Sequence, residues 1–203
     1  VINWQSFSIG KDGYVQFLQP GSSSVTLNRV VGVDPSAILG HLSANGQIFL
    51  VNSNGVFFGQ SAVVDVGGIV ATTLDINNED FMRGDYRFAR STGSADRATV
   101  INEGSITAKN GGYVVLAGDY AANKGIVQAQ LGTALLASGD ALTLQTSGSG
   151  LVSYHVDKAT VANLAGVENS GQILANGGRV IMTADVANDL ASTVVNNSGL
   201  VQA

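Results

Sequence analysis

Asp65 and Asp75 lie ten residues apart, and Glu103, Asp119 and Glu168 sit beside short Gly- and Asn-rich bends. Carboxylates are the residues that cleave glycosidic bonds, but two of them must face each other across about 5 to 10 Å. None of these acids recurs in a repeated column with Lys or Arg. His41 and His155 stand alone. A lone histidine suits a surface or hydrogen-bonded position better than general-base work. The chain has no Gly-x-Ser-x-Gly nucleophile elbow and no His-Glu-x-x-His zinc motif. The Gly-Gly-x-Gly-x-Asp calcium repeat is missing too. The residues thus predict no catalytic site, no metal and no cofactor. One binding motif remains, Arg83-Gly84-Asp85, an integrin-type tripeptide in a charged stretch. A charged surface loop explains it equally well.

Composition narrows the classes further. Apolar residues make up 45% of the 203 and charged residues 12%, which predicts a sizeable core and argues against disorder. Net charge is −5 with no dense basic patch, so nucleic acid is not an expected partner. There is no Cys, which excludes a disulfide framework and thiolate metal sites. No apolar run approaches the roughly 20 residues of a membrane-spanning helix.

The elements that must position any site are short strands. Val, Ile, Thr, Phe and Tyr come in brief runs, divided by Gly, Asn, Asp and Ser. One unit recurs: "NEGSITA" from Asn102, "NKGIVQA" from Asn123, "NSGQILA" from Asn169 and "NSGLVQA" from Asn197. All read Asn-x-Gly-x-(Ile/Val)-x-Ala. The chain's own residue frequencies lead to roughly 0.05 chance matches, so four mark a real repeat. Side chains alternate along a strand, which puts Ile106, Val127, Ile173 and Val201 on one side with Ala108, Ala129, Ala175 and Ala203. A second unit begins at Gly112, Gly132 and Gly178, seven or eight residues after the first-unit Gly. Gly104 to Gly125 is 21 residues.

A strand, a bend and a strand, closing at about 21 residues, predict a triangular coil of three strands, a β-solenoid. A sandwich is the competing fold. It would use hairpins and antiparallel returns, and it leaves the recurrence at coil spacing unexplained. In "GQIFLVNSNGVFFG", Asn52-Ser53-Asn54-Gly55 is then a corner, where Asn and Gly tolerate the left-handed conformation and Asn amides bond local backbone. The charged stretch 79–97 breaks the pattern and reads as an excursion, and residues 148–162 as a second one. Two helices are expected, over 183–195, where Val186, Leu190 and Val194 recur at four-residue spacing, and over Asp34 to Leu39, where Asp34 suits the cap and Pro35 the first turn.

The opening segments carry a resemblance. "VINWQSFSIG", "QFLQPGSSSVTLNRVVG" and "DPSAILGHLSANGQIFLVNSNGVFFG", in that order, resemble the secretion domain of the filamentous haemagglutinin family, the exported partners of two-partner secretion in Gram-negative bacteria. The resemblance is strong from Val1 to about Asp75 and extends to the later repeats. It implies an all-β fold, a right-handed parallel β-helix with short extra-helical hairpins, occupying residues 1–203 as a single unit. It implies a partner, an outer-membrane barrel with periplasmic domains, and a secreted or cell-surface product that passes through the periplasm as a monomer. Family members carry further N-terminal strands before the Ile-Asn-Trp segment, and a stacked strand is expected after Ala203, so the chain reads as a fragment of a longer exoprotein. The family corner is Asn-Pro-Asn-Gly; Ser53 replaces the Pro, and the corner is expected to survive. The comparison favours Asn28, Arg29, Asn52, Asn54 and Gly55, either as turn and ladder supports or as direct contacts of the transporter. An adhesin module that binds a host receptor or glycan, and a carbohydrate-active β-helix, remain as alternatives.

Overall fold

The computed structural model describes residues 1–91, 98–157, 166–185 and 195–203. The chain winds as a parallel β-helix with three faces. Among the described residues, face 1 stacks seven strands: Ile2–Trp4, Val25–Val30, Gln47–Val51, Gly68–Thr72, Tyr113–Gly118, Thr133–Ser138 and Arg179–Ala184. Face 2 stacks six: Ser36–Ile38, Val56–Phe58, Thr99–Asn102, Tyr120–Asn123, Gly166–Asn169 and Val195–Asn197. Face 3 stacks seven: Tyr14–Phe17, His41–Ala44, Val63–Val66, Ser105–Ala108, Ile126–Gln128, Gln172–Leu174 and Leu200–Gln202. The chain visits the faces in the order 1, 2, 3, and every rung pairs in parallel with its counterpart one coil away. The expected triangular coil is the observed one.

Register explains the repeat. Ile106 pairs with Val127, Val127 with Ile173, and Ile173 with Val201. The first three are fully buried, as are Ala129 and Ala175, and Ala108 nearly so. Val201 departs from expectation: it keeps the interior register, but on the last coil it is 38% exposed. The repeat Asn forms a column of its own. The amide of Asn102 donates to Asn123 Oδ1 at 2.8 Å, Asn123 to Asn169 at 2.8 Å, and Asn169 to Asn197 at 2.7 Å. Residues 102, 123 and 169 are fully buried, and a buried amide is tolerated only when its hydrogen bonds are made. The repeat Gly stands two residues on because the neighbouring coil lies against it. A Cβ on Gly125 would sit 2.1 Å from the Gly104 carbonyl, and one on Gly171 would sit 2.1 Å from the Gly125 carbonyl. Stacking distance, not left-handed backbone, makes these positions Gly. We expect Gly125→Ala to cost about 3 kcal/mol, since overpacking against backbone forces the coils apart. Gly21→Ala, whose methyl meets nothing within 4 Å, should cost less than about 1 kcal/mol. Urea denaturation of the two variants measures the difference.

Face 1 is built differently from the others. Its runs "QIFLV", "GIVAT", "YVVLAG" and "TALLAS" are buried at every residue. One set of side chains points to the helix axis. The other, including Phe49, Val70, Val115 and Leu135, packs under a fourth, antiparallel sheet of Asp75–Ile76, Tyr86–Ala89, Ala141–Ser147 and Gly150–Asp157. Continuous apolar strands are the signature of a sheet covered on both faces. The outer sheet is made from two departures of the chain, each leaving the coil after a face 1 strand and returning on face 2. The first begins at Asp75 and contains a helix over Asn78–Arg83, capped by Asn77 and closed by Gly84 in the left-handed conformation. Its residues 92–97 lie outside the described set. The second, residues 141–157, is a hairpin that pairs back onto the first through Tyr86–Ala89.

The helix expected over Asp34 to Leu39 is a strand instead, and the one expected over 183–195 is strand at its described ends. Ser36–Ile38 is a face 2 strand in register with Val56–Phe58. The neighbouring strand offers this backbone its partners, and tertiary pairing overrides the local helix signal. Thr183 and Ala184 end a face 1 strand, paired with Ala137 and Ser138, and Val195 opens a face 2 strand. The rest of that expectation, 186–194, lies outside the described residues.

Candidate functional site

The corner Asn52-Ser53-Asn54-Gly55 turns the chain from Gln47–Val51 on face 1 to Val56–Phe58 on face 2. The turn closes with Gly55 N–H donating to the Asn52 carbonyl at 3.0 Å. Gly55 has φ of +120°, so this corner needs Gly there and nowhere else. The two Asn do not use the left-handed region; they work through their amides. Asn52 is fully buried. Its Oδ1 accepts from the Asn54 N–H at 2.9 Å, an Asx turn, and its Nδ2 donates at 3.0 Å to both the Asp34 carbonyl and Ser36 Oγ. Asn54 Nδ2 donates to the Gly32 carbonyl at 3.0 Å. The turn forms without the family's Pro.

Asn28 and Arg29 lie one coil below, on Val25–Val30. Asn28 is fully buried, and its Oδ1 accepts from Trp4 Nε1 at 3.0 Å. That bond ties the "INW" segment to the second coil. Arg29 points outward beneath the first departure of the chain, with its side chain 14% exposed. Its Nε donates to Asp75 Oδ1 at 2.7 Å, its Nη1 to Asn78 Oδ1 at 2.6 Å, and its Nη2 to the Ile76 carbonyl. A planar guanidinium fork suits three acceptors held on one short segment. The five residues therefore meet in one region: Asn28 and Arg29 fasten the strand before the corner, and Asn52, Asn54 and Gly55 form the corner above it. A shallow cleft of about 180 Å³ lies between them, lined by Arg29, Val31, Gly32, Ser53 and Asp75 among others.

Arg83-Gly84-Asp85 lies elsewhere, at the end of the outer helix. Arg83 pairs with Asp80, with Glu79 at 3.9 Å and with Asp85 itself at 3.4 Å. The tripeptide's two charges face each other. The acids that opened the chemical question are dispersed: Glu103 faces Lys124 at 3.7 Å, Glu168 accepts from the Tyr120 hydroxyl, and Asp75 holds Arg29. His41 packs edge-on against Tyr14, and His155 meets Asp157 at 3.0 Å. Among the described residues no three His, Asp or Glu side chains gather in metal-binding geometry.

One ionic group escaped the sequence reading. Arg90, in the first departure, binds both oxygens of Asp119 and reaches Asp140 Oδ1 at 3.0 Å. Asp119 sits at a face 1 to face 2 corner and is buried. The bond to Asp119 holds Arg90 above its usual pKa, against partial burial that acts to lower it. This fork joins the main helix to both departures of the chain. Its signal, three charges at positions 90, 119 and 140, has no local spacing to betray it.

The TPS secretion domain family matches residues 1–203. Two heme/hemopexin-binding proteins of Haemophilus influenzae are similar: one is 36% identical over 183 residues, 86% of this chain and 20% of that protein. The other is 34% identical over 225 residues, all of this chain and 23% of that protein. The chain thus spans about a fifth of the length of these relatives. The crystal structure of the HMW1 secretion domain from Haemophilus influenzae superposes with a TM-score of 0.83 at 30% identity, over 99% of this chain and 50% of that one. This is the family of secretion domains that the motif order pointed to, and it is not an enzyme family. The chain belongs to the TPS secretion domain family: it is the secretion domain of a two-partner-secreted exoprotein, passed through the periplasm of a Gram-negative bacterium to a partner outer-membrane transporter.

Proposed function

We propose that the face 1 to face 2 corner of the first coils is the region the transporter reads, with Asn28, Arg29, Asn52, Asn54 and Gly55 as its frame. The supporting observation is that side chains from three successive coils and from the outer departure converge on this corner, joined by hydrogen bonds of 2.6 to 3.0 Å. Periplasmic domains of the barrel would bind it, and the chain would cross unfolded. Outside, each rung would template the next, since the described strands beyond the first coil pair in parallel with the coil before them. No Cys and two Pro suit that route, because neither disulfides nor slow prolyl steps delay refolding. On this reading the domain works as a monomer, and it has no catalytic site of its own: its best-placed carboxylates, on Asp119 and Asp140, are engaged by Arg90.

A pull-down of the exoprotein with the periplasmic part of its transporter tests the reading, and failure of wild type to bind sinks it. Asn54→Ile removes the Gly32 strap and a 3.4 Å side-chain contact to Asn52 Oδ1, and leaves the backbone bond of the Asx turn in place. We expect export of the full-length protein to fall at least tenfold. Export and transporter affinity equal to wild type would take the corner out of the signal. Polysaccharide turnover lost on changing a single Asp or Glu would overturn the non-catalytic part.

A further inference from the structure

The corner residues use their polar atoms on one another, which raises the question of what they hold out. The answer is the loop between Val30 and Ser36. Val31 N–H donates to the Trp4 carbonyl at 2.8 Å. The Gly32 carbonyl accepts from Asn54, and the Asp34 carbonyl from Asn52. Ser36 N–H donates to the Gly55 carbonyl at 3.0 Å. The segment is pinned at four points across the six residues 31–36, and Gly32 is pressed so closely on the first coil that a Cβ there would sit 2.0 Å from the Gln5 carbonyl. Yet its two valines point out: Val31 is 56% exposed and Val33 84% exposed. Two apolar side chains one residue apart on a pinned loop offer a small contact that is ordered before any partner arrives. Beside them Asp34 is exposed, whereas Asp75 across the cleft is bound by Arg29.

We infer that Val31 and Val33 are the side chains the transporter touches, and that Asn52 and Asn54 are positioning residues that hold this loop rigid. The partner face is apolar at its centre, with a cation placed to meet Asp34. This rests on the reading of the corner as the recognition region and sharpens it: the Asn that stand out in the motif are not the atoms that are read. Rigidity before binding matters because a loop already ordered loses little entropy on docking. Asp34 would act mainly on the rate of encounter and would be screened by salt.

The test uses the exoprotein and the purified periplasmic part of its transporter. Wild type, Val31→Ser/Val33→Ser and Asp34→Asn are compared for affinity, thermal midpoint and export. The double variant should keep its midpoint within about 2 °C, bind at least tenfold more weakly and be exported correspondingly less. Asp34→Asn should bind two- to fivefold more weakly at low salt, with the difference gone near 0.5 M salt. If the double variant proves unstable, Val33→Thr alone serves, because that side chain is almost wholly in solvent, and at least a threefold loss is expected. Wild-type affinity in a folded double variant overturns the inference while leaving the corner reading intact. No binding by wild type overturns both. Transporter binding kept while self-association is lost assigns the patch to a second copy of the chain and also overturns it.

Discussion

Val127→Asp is expected to unfold the central coils at neutral pH. Val127 is fully buried and in register between Ile106 and Ile173. Above and below it lie other aliphatic side chains of the axial core, with no cation among them. A carboxylate there loses its hydration and finds no partner, so the cost is about 5 kcal/mol or more, comparable with the whole stability of many domains. The pH sign follows from burial. Desolvation raises the folded-state pKa of the introduced carboxyl above its unfolded value of about 4. Below about pH 4 the group is neutral in both states and the charge penalty vanishes; as pH rises past that point the unfolded chain ionises more readily, and stability falls. Relative to wild type at each pH, the variant's urea midpoint should therefore be lowest near pH 7 and should partly recover toward pH 4. A midpoint equal to wild type at pH 7 would mean that the Val127 position is not interior.

The same register explains which features could be read from residue order. Asn-x-Gly-x-(Ile/Val)-x-Ala repeats because a solenoid places each side chain on its counterpart about 4.8 Å away. A residue's role therefore recurs wherever the coil recurs. Ile106, Val127 and Ile173 could be placed inside on that ground alone. The outer sheet could not, because Tyr86–Ala89 and Ala141–Ser147 occur once each and pair across more than fifty residues with no period. Its trace was present in the unbroken apolar runs of face 1, such as "YVVLAG", which a strand with one wet face would not carry. Asp34-Pro35 mimics a helix start, yet the Val56–Phe58 strand supplies the local backbone with partners, and tertiary pairing wins over a local propensity. At the corner, residue types identified Asn52, Asn54 and Gly55, but the reason for each differs. Gly55 is there for its backbone, and the Asn for amides that reach across to carbonyls at 32 and 34. Val31 and Val33 had no sequence signal, because a valine between strands reads as part of one.

The amide column yields the second large effect. Asn123→Leu has nearly the right volume and none of the bonds. Wild-type Asn123 accepts from Asn102 and donates to Asn169 at 2.8 Å and to the Gln172 carbonyl at 3.0 Å. Without it, Asn102 Nδ2 falls back on the Gly104 and Ile126 carbonyls at 3.3 Å, and Asn169 Oδ1 is left buried without its donor. Unmade buried bonds of this kind cost about 2–4 kcal/mol together. The cost should also be directional. Stability in a stacked helix is a sum over neighbouring coils, so the change weakens the two junctions that Asn123 belongs to, and the Asn169 side more, because Asn102 keeps two other acceptors. Relative to wild type, amides of 166–174 should then gain more exchange with solvent than those of 99–108. Adding Asn169→Leu should cost less than the single changes summed, by about 1 kcal/mol, since one shared bond cannot be lost twice. Strict additivity in that cycle, or uniform loss of protection along the helix, would show that the column is a row of independent caps and not a ladder that carries register from coil to coil.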